Sequence, residues 1–478
     1  MNPTNTVHLP KPVKVKTAVI PVEQQFHLTS EVQAYDYREM AVFAAIGFFL
    51  GDATFYKNRK CLQPGMNYSL NEKRQVIKSD PYFQWQYEPR DLTLSQATEE
   101  FAHLYERLCN ENLEGKNIIL PLSGGLDSRS QAAAIIGYDN VLAYSYKFHN
   151  SFNETFYGKK IAAVMNCEFK EYVIQRGYLW NELDRLADIN HCYTDFTAPR
   201  QMGIYDAFDG MGDIFFLGHW GDVLFDDMGV NEHLSFEQQV ETVLKKIIKK
   251  GGLELGNALW QEWGLAGSLY QYLYGKVARL LEDIRIDNVN ARIRVFKSMY
   301  WAPRWTSVSL NIFKSKHPVF LPYYHEEMCR FICTIPEKHL SARQIQIEYI
   351  KEKSPAMAKI PWQPYHPYNL YNYSRYSGII NTPRRAFNKT ARLLKEQLLK
   401  HQPATTRNWE IQFMGKENQK RLSDYLFNRG KSDLISNALV QTFYNKFLSV
   451  SDPVRYAHGL NMLLVFRVFE ERIAKGNH

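Results

Sequence analysis

Residues Ser123 to Ser128 read Ser-Gly-Gly-Leu-Asp-Ser, and these six residue types in this order are suited to phosphate chemistry. The two glycines let the backbone turn tightly and direct successive N–H groups into one concavity for anionic oxygens. A helix after the loop adds its positive N-terminal dipole, and the hydroxyls of Ser123 and Ser128 are further donors. The carboxylate of Asp127 repels phosphate unless a cation lies between them, and Mg²⁺ prefers both kinds of oxygen. The segment therefore predicts a phosphate-binding loop that works with magnesium.

The elements around this loop alternate between strands and helices, which predicts parallel βαβ units. The apolar run Asn117 to Leu122 predicts a buried strand directly before the loop, and Ser128 to Ile136 predicts a helix directly after it. Further strands are predicted over 141–146, 168–174 and 213–217, with a helix over 154–165. The loop then leaves the carboxyl end of a strand, where open α/β sheets bind ligands.

Beyond about residue 235 the strand signals fade and helical patterns dominate. Helices are predicted over 236–250, 269–285, 324–333, 344–353, 386–399, 417–428 and 455–473. We therefore expect an α/β chain in three parts: a β-rich region over 1–95, a parallel-sheet core over 96–235 and a helical part over 236–478.

The loop resembles the PP-loop of the N-type ATP pyrophosphatases, and three further stretches resemble the asparagine synthetase branch of that group. Residues Phe48 to Lys57 and Leu62 to Gly65 are similar to the end of that family's glutaminase domain. Asn153-Glu154 opens a stretch similar to its Asp-Glu-initiated helix. Leu217 to Phe225 resembles its "ser-gly-glu-gly-x-asp-glu-leu-phe" turn. These stretches cover most of residues 40 to 230.

The resemblance implies an AMP-forming carbon–nitrogen ligase that uses ATP and Mg²⁺. A carboxylate attacks the α-phosphate to give an acyl-adenylate, and ammonia or an amine then displaces AMP to form an amide. Asp127 and Asp222 would hold magnesium. The nucleotide would be contacted by residues of the loop, the next strand and the turn: Pro121, Leu122, Ser123, Gly124, Gly125, Asp127, Ser128, Tyr146, Leu217, Gly218 and Asp222.

Several positions depart from the family pattern. No cysteine precedes Cys61, which lies mid-chain and cannot use a terminal amine as its base, so the β-rich region is expected to be a truncated glutaminase remnant without glutamine hydrolysis. His219 stands where the family has a catalytic glutamate; it is either a base for the incoming amine or a packing histidine. Val223 replaces the acid after Asp222. Arg343 is the cation nearest in position to the family's lysine, and it is either catalytic or an ion-pair residue.

Composition sets limits on partners and location. A net charge of +8 over 478 residues is a mild excess that suits acidic partners without demanding nucleic acid. The densest basic stretch, Arg384 to Lys400, predicts either a solvated helix or one that touches a membrane surface. The longest apolar run, Met40 to Leu50, is too short to span a membrane, and scattered cysteines favour a cytoplasmic location.

Three functions follow as alternatives. The first is a ligase acting on a small-molecule or peptide carboxylate, with the nitrogen taken from a free pool, the substrate or a separate partner protein. The second is a tRNA-modifying PP-loop enzyme, which would need an RNA-binding module or paired cysteines. The third is a non-catalytic scaffold on a decayed ligase fold.

Overall fold

The computed structural model describes residues 12–20, 25–27, 34–149, 155–377, 407–429, 433–449 and 453–475. It divides into two compact units, each made of two chain segments. The first unit is Met1–Gln86 with His233–Val308, and the second is Tyr87–Glu232 with Ser309–His478. These boundaries differ from the expected division at residues 95 and 235, which stays a prediction.

The first unit contains two small antiparallel sheets and a group of helices. Its strands are β1 Val13–Lys16, β2 Gln25–His27, β3 Arg59–Cys61, β4 Met66–Leu70 and β5 Val76–Pro81. Strands β1, β4 and β5 form one sheet, and β2 pairs with β3. Its helices are Tyr37–Ile46, Phe236–Ile247, Gly252–Glu262, Leu269–Glu282 and Val289–Phe296, followed by the π-helical segment Lys297–Thr306.

The N-terminal region was predicted to be strand-rich, but it contains the helix Tyr37–Ile46. The Asp36 carboxylate caps it by accepting from the N–H of Glu39 at 3.3 Å, and Gly47 ends it with a φ of 82°. Residues Met40 to Ile46 are fully buried. The apolar run is therefore a core helix, and a β-rich glutaminase remnant over 1–95 is not confirmed.

The second unit is built on a five-stranded sheet in which every pair of neighbouring strands is parallel. Its strands are β6 Ile118–Pro121, β7 Val141–Phe148, β8 Glu168–Ile174, β9 Ile214–Phe216 and β10 Val319–Phe320. Their order is β10-β9-β6-β7-β8. Strand β6 is central and fully buried over Ile118 to Leu120, as its unbroken apolar sequence requires.

Helices flank this sheet and follow it along the chain. The helices of eight or more residues are Leu94–Leu113, Leu126–Ala134, Thr155–Met165, Leu179–Asn190, Gln344–Lys353, Lys416–Phe427, Asn437–Ser449 and Pro453–Ala474. Shorter α-helical turns are Gly221–Leu224, Ser307–Ser309, Asn311–Lys314, Glu326–Ile332, Glu337–Leu340, Pro355–Ala358 and Asn408–Phe413, and 3₁₀ segments are Arg200–Gly210, Pro322–Tyr324, Ser341–Arg343, Gln363–Tyr365 and Tyr373–Ser377.

The predicted α/β class and parallel sheet are confirmed. Strand 168–174 and helix 344–353 have the predicted bounds, whereas β10 was missed because two residues carry no periodic signal. The predicted helix over 386–399, the basic stretch Arg384 to Lys400 and the pair Asn153-Glu154 lie outside the described residues. Within the described residues, no helix combines the length and apolar character needed to cross a membrane.

Candidate functional site

The loop Ser123 to Ser128 follows the central strand β6, and its two serines hold its shape. The N–H of Ser123 donates to the Ser128 hydroxyl at 3.1 Å, and the two hydroxyl oxygens are 3.0 Å apart. The N–H of Gly125 donates to the Ser123 hydroxyl at 3.2 Å. The serine hydroxyls, expected as phosphate donors, are therefore engaged within the loop.

Gly124 is needed because another segment lies directly against the loop. A Cβ atom at Gly124 would lie 2.5 Å from Cβ of Gln363 and 3.0 Å from the Tyr157 ring. The N–H of Gln363 donates to the Gly124 carbonyl at 3.4 Å, and the Tyr157 hydroxyl lies 3.2 Å from Nδ1 of His366. The aromatic-rich segment after residue 361 therefore covers one side of the loop.

Arg129, on the helix that begins at Leu126, anchors the residues directly before this covering segment. It is fully buried. Its guanidinium donates to the carbonyls of Met357, Ile360 and Pro361 at 3.3, 3.0 and 3.1 Å. Burial lowers the pKa of Arg129 to about 10, which leaves it charged at neutral pH.

The carboxylate of Asp127 pairs with Arg343. The Arg343 guanidinium donates to Oδ1 of Asp127, and the two side chains are 13% and 25% exposed. Gln346 donates to the same oxygen at 3.0 Å and to the Tyr323 hydroxyl at 2.7 Å. Arg343 in turn donates to the Gln346 side-chain oxygen at 2.7 Å. The predicted metal ligand and the predicted catalytic cation are thus one hydrogen-bonded group.

The turn from Leu217 to Asp222 brings a second carboxylate to the same place. Strand β9 delivers it, and the N–H of Leu217 donates to the Phe320 carbonyl at 3.0 Å. Trp220 has a φ of 77°, a region that favours glycine. Gly221 begins the helix Gly221–Leu224, and its missing side chain leaves room for Asp127.

The two aspartates interact electrostatically. Burial raises the pKa of Asp127, the Arg343 charge lowers it, and the Asp222 charge raises it again. Asp222 is exposed. Among the described residues no group of three or more His, Cys, Asp or Glu side chains could hold a metal ion. Two carboxylates nevertheless fit Mg²⁺, because proteins usually bind this ion through one or two carboxylates, and substrate phosphates and water complete its coordination.

His219 lies half-buried in the same turn beside a buried lysine. Burial lowers the pKa of His219 to about 4; Asp222 opposes this shift and the Lys314 charge adds to it. Within the described part of the chain, neither Nδ1 of His219 nor Nζ of Lys314 has a hydrogen-bond partner, although both atoms are buried. Burial lowers the pKa of Lys314 to about 8. His219 is therefore a neutral imidazole at neutral pH.

The other predicted nucleotide contacts lie along the same sheet edge. Pro121 and Leu122 end β6, and the Leu122 carbonyl accepts from the Ser145 hydroxyl at 2.6 Å. Tyr146 lies on β7, two residues beyond Tyr144, which pairs with Pro121. A Cβ atom at Gly218 would lie 3.0 Å from Cβ of Asp127. The sheet therefore gathers these residues around the loop, and their contact with nucleotide stays a prediction.

Sequence reasoning missed several side chains of this site. Gln346 binds both Asp127 and Arg343 and donates to the Tyr323 hydroxyl. Lys314 contributes positive charge beside His219, and Gln363 covers Gly124. Gln346 carried a usable signal, because it lies three positions after Arg343 at the start of a predicted helix. The others become neighbours only through the tertiary fold.

Comparisons with known proteins add little. No family model matches the chain, and no curated protein matches it. Among solved structures, NMN synthetase from Francisella tularensis is similar at 16% identity and a TM-score of 0.22, over 43% of this chain and 92% of that chain. The function proposed below rests on this chain's own residues.

Proposed function

We propose that this protein is an ATP-dependent ligase of the asparagine synthetase type. It joins a carboxylate to ammonia or an amine through an acyl-adenylate and releases AMP and pyrophosphate. The observation that carries the proposal is the meeting of Asp127, Asp222 and Arg343 at the glycine-rich loop after β6. Two carboxylates and one guanidinium at the carboxyl end of a parallel sheet match the charges of a metal-bound polyphosphate.

Each of these groups has a role in the proposed reaction. Asp127 and Asp222 would hold Mg²⁺, which neutralises charge on the pyrophosphate leaving group. The Arg343 guanidinium binds the phosphoryl oxygens and stabilises the negative charge that develops at the α-phosphate. Because Arg343 already pairs with Asp127, it is held at the loop before nucleotide binds.

The nitrogen step is assigned to His219. Its pKa of about 4 keeps the imidazole neutral at physiological pH, so it can accept a proton from the attacking amine. The Lys314 charge keeps the imidazole unprotonated and so available to the amine, and it also makes His219 a weaker base. A base with so low a pKa is weak, which suits a step in which a reactive acyl-adenylate is already formed.

The proposal includes no glutamine hydrolysis by this polypeptide. Cys61 is buried, and its thiol contacts the Arg304 guanidinium. A thiol in that setting is not presented to an external amide, so nitrogen would come from ammonia, an amine or a partner protein.

The test is a product analysis with ATP, Mg²⁺, ammonium and a panel of carboxylic acids and peptides. The proposal expects acid-dependent release of pyrophosphate and AMP. Asp127→Asn is expected to lower turnover by roughly 10²–10³-fold, the usual cost of one electrostatic group at a reacting phosphate. The matched control is Asp206→Asn, because Asp206 is an exposed aspartate of the same unit that pairs with Arg185.

Three results would contradict the proposal. ADP and phosphate as products would place the cleavage at the wrong bond. Full activity of Asp127→Asn would remove the assigned metal ligand. Tight ATP binding without pyrophosphate release for any acid would favour the scaffold alternative.

A further inference from the structure

The turn that presents Arg343 to the loop has an unusual backbone. Ala342 has φ 55° and ψ 21°, and Arg343 has φ 62° and ψ 34°. Both values lie in the left-handed region, which disfavours residues with a Cβ by on the order of tenfold at each position. Two such residues in succession at the start of the helix Gln344–Lys353 therefore need support from their surroundings.

Two aspartates from another segment supply that support. Ser341 donates its hydroxyl to Oδ2 of Asp227 at 2.5 Å. The backbone N–H of Ala342 faces the carboxylate of Asp226 and lowers its pKa. These aspartates follow Phe225 and lie four and five residues after Asp222, so one short stretch carries both a proposed metal ligand and the acceptors for the turn.

The aspartates are themselves fixed in place. Asp226 accepts from the N–H of Asp227 at 2.9 Å, and Asp227 accepts from the N–H of Gly229 at 2.8 Å. Both side chains are half-buried. Burial raises the pKa of Asp226 and the Arg343 charge lowers it, so the guanidinium lies within its electrostatic reach.

We infer that Asp226 and Asp227 are positioning residues for Arg343. They hold the Ser341–Arg343 turn in its left-handed form and so direct the guanidinium to Asp127 and the phosphate loop. Neither carboxylate is assigned a contact with nucleotide. This inference deepens the proposed function and rests on it for the role of Arg343, but the backbone hold on the turn exists without nucleotide.

The test combines three substitutions that each remove one hydrogen-bonding side chain with a fourth that removes the need for support. Asp226→Ala and Asp227→Ala each delete one acceptor, and Ser341→Ala deletes the matching donor without changing charge. Ala342→Gly permits the left-handed backbone at no steric cost. The control is Asp206→Ala, which removes an exposed carboxylate of the same unit.

Two measurements are made on each full-length variant. Amide hydrogen exchange at residues 342 and 343 is recorded without nucleotide, and the dissociation constant is recorded for the magnesium complex of α,β-methylene-ATP. We expect exchange and dissociation constant to rise roughly tenfold in Asp226→Ala and Asp227→Ala, in line with the conformational preference lost. Adding Ala342→Gly should bring the dissociation constant back to within about threefold of the wild-type value.

A merely structural role predicts a different pattern. Ala342→Gly would then raise the melting temperature of Asp226→Ala without restoring nucleotide affinity, and this result would overturn the inference. The inference would also be overturned if Asp227→Ala and Ser341→Ala left amide exchange and the dissociation constant as unchanged as the control Asp206→Ala does. If the wild-type chain binds no analogue, the proposed function fails, and the exchange data alone then support or overturn the hold on the turn.

Discussion

Gly221→Ala tests whether the turn and the loop are as closely packed as the site requires. A Cβ atom at Gly221 would lie 2.8 Å from Cγ of Asp127 and 2.8 Å from the ring of Tyr323. Tyr323 cannot withdraw, because it is fully buried between Tyr105 and Phe225, with ring centroids 5.4 and 5.5 Å away. The carboxylate of Asp127 must therefore move.

The magnitude follows from two opposing effects. Overpacking of this kind costs about 1–3 kcal/mol, whereas alanine at the start of a helix regains about 0.5–1 kcal/mol relative to glycine. We expect the free energy of unfolding to fall by roughly 1–2 kcal/mol. A displacement of Asp127 by about 1 Å should lower pyrophosphate release by on the order of 10²-fold.

The assay is urea denaturation together with pyrophosphate release. Gly210→Ala is the matched control, because a Cβ atom there has no neighbour within 4 Å. The reasoning is refuted if Gly221→Ala matches Gly210→Ala in both measurements. A loss of activity with unchanged stability would mean that the Asp127 carboxylate is displaced but that the contact with Tyr323 costs no stability.

Three further predictions concern the side chains of His219, Lys314 and Arg129. The pKa of His219 is about 4 in the folded chain and 6.5 ordinarily, so the unfolded chain binds the extra proton and stability should fall as pH drops from 6.5 to 4, a contribution that His219→Gln removes in urea titrations. Lys314→Met removes a buried ammonium, so it should raise the free energy of unfolding by roughly 1–3 kcal/mol and raise the pKa of His219 in NMR titrations; an unchanged pKa would contradict their electrostatic contact. Arg129→Met leaves three carbonyls without their donor and should cost roughly 2–5 kcal/mol in urea denaturation. Arg107 is exposed, so Arg107→Met should cost far less than Arg129→Met, and equal costs for the two would count against the anchoring role.

The sheet of the second unit was predictable because its strands are apolar runs of ordinary length. Strands β6, β7 and β8 and the helix after the loop lie within two residues of their predicted bounds. The helix Tyr37–Ile46 was missed because it is buried on all sides, and a helix without a polar face has no amphipathic period. Strand β10 was missed because it is only two residues long.

Site residues that form contiguous motifs were predictable from the sequence, whereas residues that meet only in the folded chain were not. The loop and the Asp222 turn are contiguous motifs, so their residue types alone predict a phosphate site. Arg343 was ambiguous between a catalytic and an ion-pair residue; the structure shows the ion pair with Asp127, and a catalytic role stays a prediction. Lys314 gave no signal, because an isolated lysine is ordinarily solvated and its burial depends on the surrounding tertiary structure.

The second unit is interrupted by residues 233–308, which belong to the first unit. Asp127 and Arg343 lie on opposite sides of that interruption, 216 residues apart. During synthesis the phosphate loop therefore emerges long before its guanidinium partner, and contacts of such high sequence separation form late. The charge balance of the site is completed only after the inserted segment has been made. A chain that stops before residue 343 would carry the glycine-rich loop without the guanidinium that pairs with Asp127.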